Sequence, residues 1–500
     1  MSRTVSLDPV TRIEGHLAVR VEVENGLVGE AFCSGEMFRG FEAILRGRHP
    51  MDAQQITQRI CGVCPISHGL ASIKAQDQCY GVTPPENGRL MRNLILGANY
   101  LASHITHFYL LSALDFVDVT AVTRYTGADP ALIRLKDWIT AQAAAKTLYP
   151  AAPFLPRYEG GYIQDDSLNL LALRHYLDAL RIRAQCHKMA ALFAGKMPHS
   201  TTLVPGGITE HATADKIAAY ASILKEVRSF VSTVYVPDVL AVAQAFDGYF
   251  SLGRGPGNFL SFGVFDEESG TWLPSGTLIQ GRPAALNPEA ITEEVARSLF
   301  TPESGGPPAT GRTVAAPGKA DAYTWLKAPR YEGQPMEVGP LARILVAWQA
   351  GRPDVRDLVD RTLARLGKKP EDLVSVMGRH AARALEALLL ADRCAAWVDR
   401  LTPGNPGFAE FTIPPAGTGM GLTEASRGAL GHWLTVEKGL IANYQCVVPT
   451  TWNCSPRDGR GVPGPVEQAL VGTPVADPQN PIEAARVVRS FDPCLACAVH

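Results

Sequence analysis

Between Leu17 and Ala31 apolar and polar side chains alternate, with Val19, Val21 and Val23 set against Arg20, Glu22 and Glu24. A period of two gives each set its own face of a strand. Asn25-Gly26 between the two runs is a strong signal for a tight hairpin. A second hairpin is expected around Lys438-Gly439, leading into Tyr444-Gln445-Cys446-Val447-Val448. Elsewhere Ala and Leu recur three and four residues apart over about 86–118, 165–195, 210–246, 336–350 and 370–400, the period of helices with an apolar stripe. Helices this long usually pack together as a bundle. The segment 301–319, rich in Gly, Pro, Thr and Ala, reads as a surface loop. The pattern therefore predicts an α+β chain, predominantly helical, with a central long-helix bundle and small peripheral hairpins and sheets. No internal repeat is visible.

Composition narrows the class. Of the 500 residues, 46% are hydrophobic and 19% charged, enough for a large core. A formal net charge of −2 gives no electrostatic case for nucleic acid, and no basic run suggests an anionic membrane surface. No apolar run approaches the roughly 20 residues of a spanning helix. The N-terminus lacks the basic, apolar, small-residue series of an export signal, so none is expected in this chain. The 10 cysteines are too sparse for a disulfide scaffold. Cys33, Cys79, Cys186 and Cys394 read as buried apolar thiols.

Four other cysteines carry the chemistry. Cys61-Gly-Val-Cys64 and Cys494-Leu-Ala-Cys497 lie near opposite ends of the chain. Either pair alone is open to three readings: a redox disulfide, half a zinc site, or chance. Together they make a four-thiolate site, which suits a soft transition metal far better than magnesium or calcium. Zinc ribbons close their second pair within about 15–20 residues; here nearly the whole chain intervenes. A chain that brings its ends to one metal has built its core around an active centre, so residues 1–500 are expected to form a single domain. Four thiolates leave a divalent ion only half neutralising their charge, and a second metal sharing two sulfurs would spread it.

The flanks are specific. The first pair lies in Gln58-Arg59-Ile60-Cys61-Gly62-Val63-Cys64-Pro65-Ile66-Ser67-His68, the second in Phe491-Asp492-Pro493-Cys494-Leu495-Ala496-Cys497-Ala498-Val499-His500. With Asp8-Pro9-Val10-Thr11-Arg12-Ile13-Glu14-Gly15-His16, Pro329-Arg330-Tyr331-Glu332-Gly333, Met336-Glu337-Val338-Gly339-Pro340-Leu341-Ala342-Arg343, Arg427-Gly428-Ala429-Leu430-Gly431-His432-Trp433 and Val448-Pro449-Thr450-Thr451-Trp452-Asn453, they follow one family's order from residue 8 to residue 500. The chain resembles the large subunit of [NiFe]-hydrogenases along its whole length.

That resemblance implies the reaction H₂ ⇌ 2H⁺ + 2e⁻. Cys61 and Cys494 would be terminal nickel ligands, and Cys64 and Cys497 would bridge nickel to an iron bearing carbon monoxide and two cyanides. Arg427 and Thr450, with Pro449 keeping the chain extended beside it, would face the cyanides, and Arg427 would be placed to take a proton. Glu14 would relay protons from the sulfur of Cys494. His68 would donate a hydrogen bond to Cys497, and Asp492 would pair with Arg427. Glu42, His500 and the backbone carbonyl of Cys446 would hold magnesium or iron. Two positions depart from the family pattern: Ser103 stands for a common Asp, and Ser426 for a common Pro.

The chain has too few spare cysteines for an iron–sulfur cluster of its own, so a cluster-bearing small subunit is the implied partner. Where a precursor extension follows the terminal histidine, a maturation protease and nickel-insertion proteins are implied too. The resemblance fits periplasmic residence by co-export with the small subunit, with the cytoplasm as the other compartment. Two alternatives share these motifs in part: a regulatory H₂ sensor, and a non-catalytic structural-metal or complex I-like electron-transfer subunit. His104 and His107, three residues apart on an expected helix, are read as core residues, and Gly253-Arg254-Gly255-Pro256-Gly257 as a turn.

Overall fold

The computed structural model describes residues 3–147, 154 and 160–500. The alternating segment forms the expected hairpin, Leu17–Glu24 paired antiparallel with Leu27–Gly35, and Arg3–Leu7 adds a third strand. Asn25 and Gly26 have φ of 52° and 78°, the left-handed pair that a two-residue hairpin turn requires. Lys438 and Gly439, at φ 53° and 74°, play the same part between Gly428–Glu437 and Leu440–Val447. Ala416–Ala425 completes that three-stranded sheet.

Four long helices, Glu86–Thr106, Asp166–Ala194, Ala214–Phe230 and Val376–Arg400, pack on one another around the largest apolar core. Glu86–Thr106 continues through a wider turn, His107–Ser112, as the 86–118 period predicts. The helix expected over 336–350 starts only at Pro340, because Gly339 is at φ 128° and proline suits the first helical position. The 370–400 helix is interrupted at Ser375, whose hydroxyl accepts the Gly378 N–H and caps the new start.

Several parts depart from the sequence reading, which marked neither the helix Pro130–Ala145 nor the helix Pro353–Leu366. A further sheet, Phe259–Asp266, Thr271–Ile279 and Arg282–Ala284, was not expected. Its first strand is buried on both faces and so shows no alternation. The helix Pro65–Tyr80 is buried on nearly every side through its first half, which erases the apolar stripe. The 301–319 segment is not simply a surface loop: Ser304 and Thr313 are buried, and the Thr313 hydroxyl donates to the Glu42 carboxylate. Cys33, Cys186 and Cys394 are buried as expected, but Cys79 is half-buried. No helix among the described residues is long and apolar enough to cross a membrane.

One packing contact fixes where Cys64 stands. The Pro65–Tyr80 helix, which starts directly after Cys64, lies along the strand Ala416–Ala425. The approach depends on glycine: a Cβ on Gly419 would stand 1.9 Å from the Ala75 carbonyl oxygen, and one on Gly421 1.9 Å from that of Ala71. Both obstacles are backbone and cannot swing aside. Gly421→Ala is therefore expected to lower stability by about 3 kcal/mol, read as a fall in the thermal midpoint. An unchanged midpoint would mean that this helix can back away from the strand.

Candidate metal centre

Cys61 follows a single tight turn, Gln58–Ile60, and Cys64 precedes Pro65 at the head of its helix. Cys494 follows Pro493 and opens the short helix Leu495–Ala498, which carries Cys497. The two ends of the chain meet through backbone. Glu14 N–H donates to the Pro493 carbonyl at 3.3 Å, and Leu495 N–H donates to the Glu14 carbonyl at 2.7 Å. Gly15 permits this approach, since a Cβ there would sit 2.8 Å from both Ala496 N and Leu495 Cβ. Arg39 ties the flanks of the two pairs together, donating to the Ile60 carbonyl at 2.8 Å and to that of Ala496.

The result is a buried knot of four sulfurs. Cys61 Sγ lies 3.4 Å from Cys494 Sγ, and Cys497 Sγ lies 3.1 Å from both Cys64 Sγ and Cys494 Sγ. All four atoms are within 4.8 Å of one another, and none is in a disulfide. Hydrogen bonds from Cys494, Cys497 and Cys64 hold the Cys61 thiol well below its ordinary value, whereas burial pushes Cys494 and Cys497 well above theirs. The four buried sulfurs thus act on one another's protons. A soft metal that displaces those protons satisfies the whole donor set, and its uptake releases them. The residues present fit such a metal.

Glu14 and Arg427 line a cavity of about 140 Å³ beside the sulfurs, together with Val63, Ser103, His187 and Met197. Cys494 Sγ–H donates to Glu14 Oε2 at 3.2 Å, and Ala496 N–H reaches the same oxygen at 3.1 Å. Burial, and after it the charge on Cys61, raises the Glu14 carboxyl above its usual range. Arg427 Nε donates to the Asp492 carbonyl at 3.1 Å, and its Nη2 lies 3.0 Å from Asp492 Oδ1. Its Nη1 is 3.5 Å from Ser103 Oγ, which meets the Ser426 hydroxyl at 2.8 Å. The two serine departures thus bond to each other. Val448 is extended before Pro449, and Thr450 Oγ1 accepts the Cys494 N–H at 2.9 Å, keeping its own O–H to donate.

His68 differs in detail from the sequence reading. Its Nδ1 is 3.2 Å from His432 Nε2, leaving only Nε2 for the expected contact with Cys497. His432 Nδ1 lies 2.8 Å from the Tyr444 hydroxyl. If Tyr444 donates to His432 and His432 to His68, the His68 proton is fixed on Nε2, facing away from His432. Burial holds His68 down at about 3, so the ring is neutral. His104 and His107 are core residues as expected: His104 Nε2 meets Glu386 at 2.7 Å, and His107 Nε2 meets the Arg489 carbonyl at 2.7 Å.

A second cluster gathers Glu42, Cys446 and His500. His500 Nε2 lies 3.3 Å from Glu42 Oε1, and its Nδ1 lies 2.7 Å from the Cys497 carbonyl oxygen. Cys446 meets Glu42 through its amide, which donates to Oε1 at 2.7 Å, and its thiol lies within 4.8 Å of the carboxylate and the imidazole. Burial opposes ionisation of Glu42, but Lys327 and His500 overcome it and hold the carboxyl down at about 2. The Lys327 ammonium, 2.9 Å from Glu293 and 3.2 Å from Gln445, and the Thr313 hydroxyl complete the shell.

His432, Tyr444, Lys327 and Thr313 had no place in the sequence reading. His432 stands inside one of the family motifs, but only the strand pairing His432↔Cys446 brings it beside the second cluster. Lys327 stands two residues before the Pro329-Arg330 motif but outside it, and nothing near Thr313 in sequence marks that residue.

Residues 39–500 match a family described as nickel-dependent hydrogenase, and residues 4–34 one described as HoxL-like. The chain is 44% identical to the periplasmic [NiFeSe] hydrogenase large subunit of Desulfomicrobium baculatum, covering 99% of this chain and 94% of that one. It is 36% identical to the hydrogenase-2 large chain of Escherichia coli strain K12, covering 100% and 97%. The Ni-Fe-Se hydrogenase of D. vulgaris Hildenborough in its reduced state superposes with a TM-score of 0.89 at 42% identity, over 100% of both chains.

The second cluster should govern the first through His500 and Cys497. Glu42→Ala removes the carboxylate that holds His500 and is expected to weaken metal retention at the four sulfurs roughly tenfold or more. Metal per chain after dialysis against a chelator is the measurement. Retention equal to wild type would show that the C-terminus holds without this anchor.

Proposed function

This chain belongs to the nickel-dependent hydrogenase family and is the catalytic large subunit of such an enzyme, and we infer that its four buried sulfurs hold a nickel–iron pair whose iron carries carbon monoxide and cyanide. The observation that carries this reading is the meeting of Cys61, Cys64, Cys494 and Cys497 within 4.8 Å, with the Glu14 carboxylate 3.2 Å from Cys494 Sγ. When bound, the metal pair supplies heterolytic cleavage of H₂, the step no side chain can perform. Cys61, Cys64, Cys494 and Cys497 would hold the pair through their sulfurs.

The protein's own groups then manage protons and access. Glu14 accepts a proton at Oε2 from Cys494 Sγ and passes it towards the cavity it lines. Arg427 is buried and held by Asp492, so its guanidinium presents fixed positive charge beside the sulfurs and a donor for a cyanide nitrogen. Burial works against its charge, but Asp492 and then the sulfurs overcome it and raise the group well above its usual range, so it stays a cation and does not serve as the proton acceptor that the sequence reading allowed. Thr450 offers its hydroxyl proton to the other cyanide. Neutral His68 turns Nε2–H to Cys497 and tunes its basicity. Glu42, His500 and the backbone carbonyl of Cys446 are assigned to magnesium or ferrous iron, oxygen-rich ligation with one imidazole being suited to either.

Large subunits of this family pair with a small subunit. Electrons are proposed to leave through iron–sulfur clusters on that partner, and nickel insertion and any C-terminal processing to be done by dedicated maturation proteins. The periplasmic side of the membrane is the favoured compartment, by co-export with the small subunit.

Two measurements test the reading. Purified enzyme should contain one nickel per chain and show infrared bands in the CO and CN stretching window; zinc in place of nickel, with no such bands, would sink it. Glu14→Gln keeps the shape of the side chain but cannot carry a proton at neutral pH. It should cut H₂ turnover and H/D exchange by about 100-fold or more while leaving nickel and the infrared bands in place. Exchange near the wild-type rate would place the relay elsewhere.

A further inference from the structure

Arg343 lies on the helix Pro340–Gln349 and is completely buried. A guanidinium has five N–H bonds and no acceptor, and all five find oxygen here. Nε donates to Glu386 Oε1 at 2.5 Å and Nη2 to Glu386 Oε2 at 2.7 Å. Nη1 donates to Glu424 Oε2 at 2.7 Å and to the Ala425 carbonyl at 3.0 Å. The second Nη2 proton goes to the Ser426 carbonyl at 2.9 Å. Those two carbonyls belong to the residues immediately before Arg427, where the strand Ala416–Ala425 turns into the next.

The backbone after Arg427 is fixed from the same segment. Gly428 is at φ 140°, and a Cβ there would meet Val338 Cγ2 at 2.5 Å and Gly339 N at 2.8 Å. A Cβ on Gly339 would stand 3.0 Å from the Arg427 carbonyl oxygen. The turn is therefore gripped on one side by a side chain and on the other by backbone contact. Both partners of the grip are themselves anchored: His104 Nε2 bonds Glu386 at 2.7 Å, and Glu424 Oε1 accepts the Phe262 N–H at 2.7 Å.

We propose that Arg343 is a positioning residue that sets the Arg427 guanidinium beside the four sulfurs by clamping the Ala425 and Ser426 carbonyls. This rests on the role proposed for Arg427 at the metal pair. A buried ion pair alone would need only charge balance, which lysine provides. The clamp needs a planar fork that serves two carboxylates and two carbonyls at once, which lysine cannot do.

The test uses Arg343→Lys and Glu386→Gln in the complete enzyme with its small subunit. Arg343→Lys keeps the charge and loses the fork. A crystal structure should show Arg427 Nε withdrawn from the Asp492 carbonyl. The infrared CO and CN bands should shift with nickel content retained, and kcat should fall about 10- to 100-fold with KM for H₂ within about twofold. An unmoved Arg427 with unshifted bands and wild-type kcat overturns the clamp. Should Arg343→Lys fail to fold, Glu386→Gln, close in shape, loosens the same grip; a displaced Arg427 and shifted bands are expected there too, and wild-type values overturn the proposal. Failure of the nickel–iron reading would show separately, as absence of the bands in wild-type enzyme. The crystallographic position of Arg427 then still decides whether Arg343 holds it.

Discussion

Two backbone hydrogen bonds between residue 14 and residues 493 and 495 hold the metal site together. A single such bond contributes only about 0.5–1.5 kcal/mol net, so the pairing survives by its surroundings rather than its strength. Gly15 lets the two segments touch, and Arg39 binds carbonyls on the flanks of both cysteine pairs. Pro493, Cys494 and Leu495 are buried and Glu14 is half-buried, so an unmet donor on the C-terminal side, such as the Leu495 N–H, would cost more than the bond is worth. Because Glu14 sits in this pairing, its backbone joins the ends of the chain while its side chain meets the sulfur of Cys494. Structure and proposed proton relay thus share one residue.

Around that patch the interior is crowded with charge. Arg379 grips Glu337 through two bonds of 2.8 Å, Arg489 grips Asp115 through two of 2.7 Å, and Arg343 spans Glu386 and Glu424. Buried ion pairs add little net stability, since desolvation offsets attraction, but breaking one is severe. Their effect is to forbid alternative packings. Arginine rather than lysine serves at each of these places because a rigid two-pronged donor fixes direction as well as charge. A catalytic pocket that must hold a carboxylate and a guanidinium at set positions beside four sulfurs gains from such a frame.

Much of this was legible in the chain. Both hairpin turns stand where Asn25-Gly26 and Lys438-Gly439 mark them, since their left-handed backbone demands particular residues. The long helices follow their period, though Gly339 and Ser375 shift two of their starts and the helix expected over 210–246 begins at Ala214 and passes through a wider turn at Val231–Tyr235. The first strand of the unexpected sheet and the first half of the Pro65–Tyr80 helix share one cause: elements buried on both sides lose the polar face that periodicity needs. The four cysteines, Glu14, Arg427, Thr450 and His500 stand in motifs legible in the chain, and the fold brings them together. The ring partner of His68 was not legible there, because His432 is joined to it only by folding.

By itself the sequence determined the chemistry on offer: four cysteines in two short turns, a carboxylate at Glu14, a guanidinium at Arg427 and an imidazole at the last residue. It also determined the local structure that short-range sterics control, the turns, caps and helical periods. Only the tertiary structure decided how these groups meet. Arg343 clamps the turn before Arg427, Lys327 and Thr313 attend Glu42, and Ser103 reaches Ser426. Each of those contacts joins side chains far apart in sequence, and no local pattern encodes them, because burial lets a polar group accept whichever partner the packed chain brings within reach.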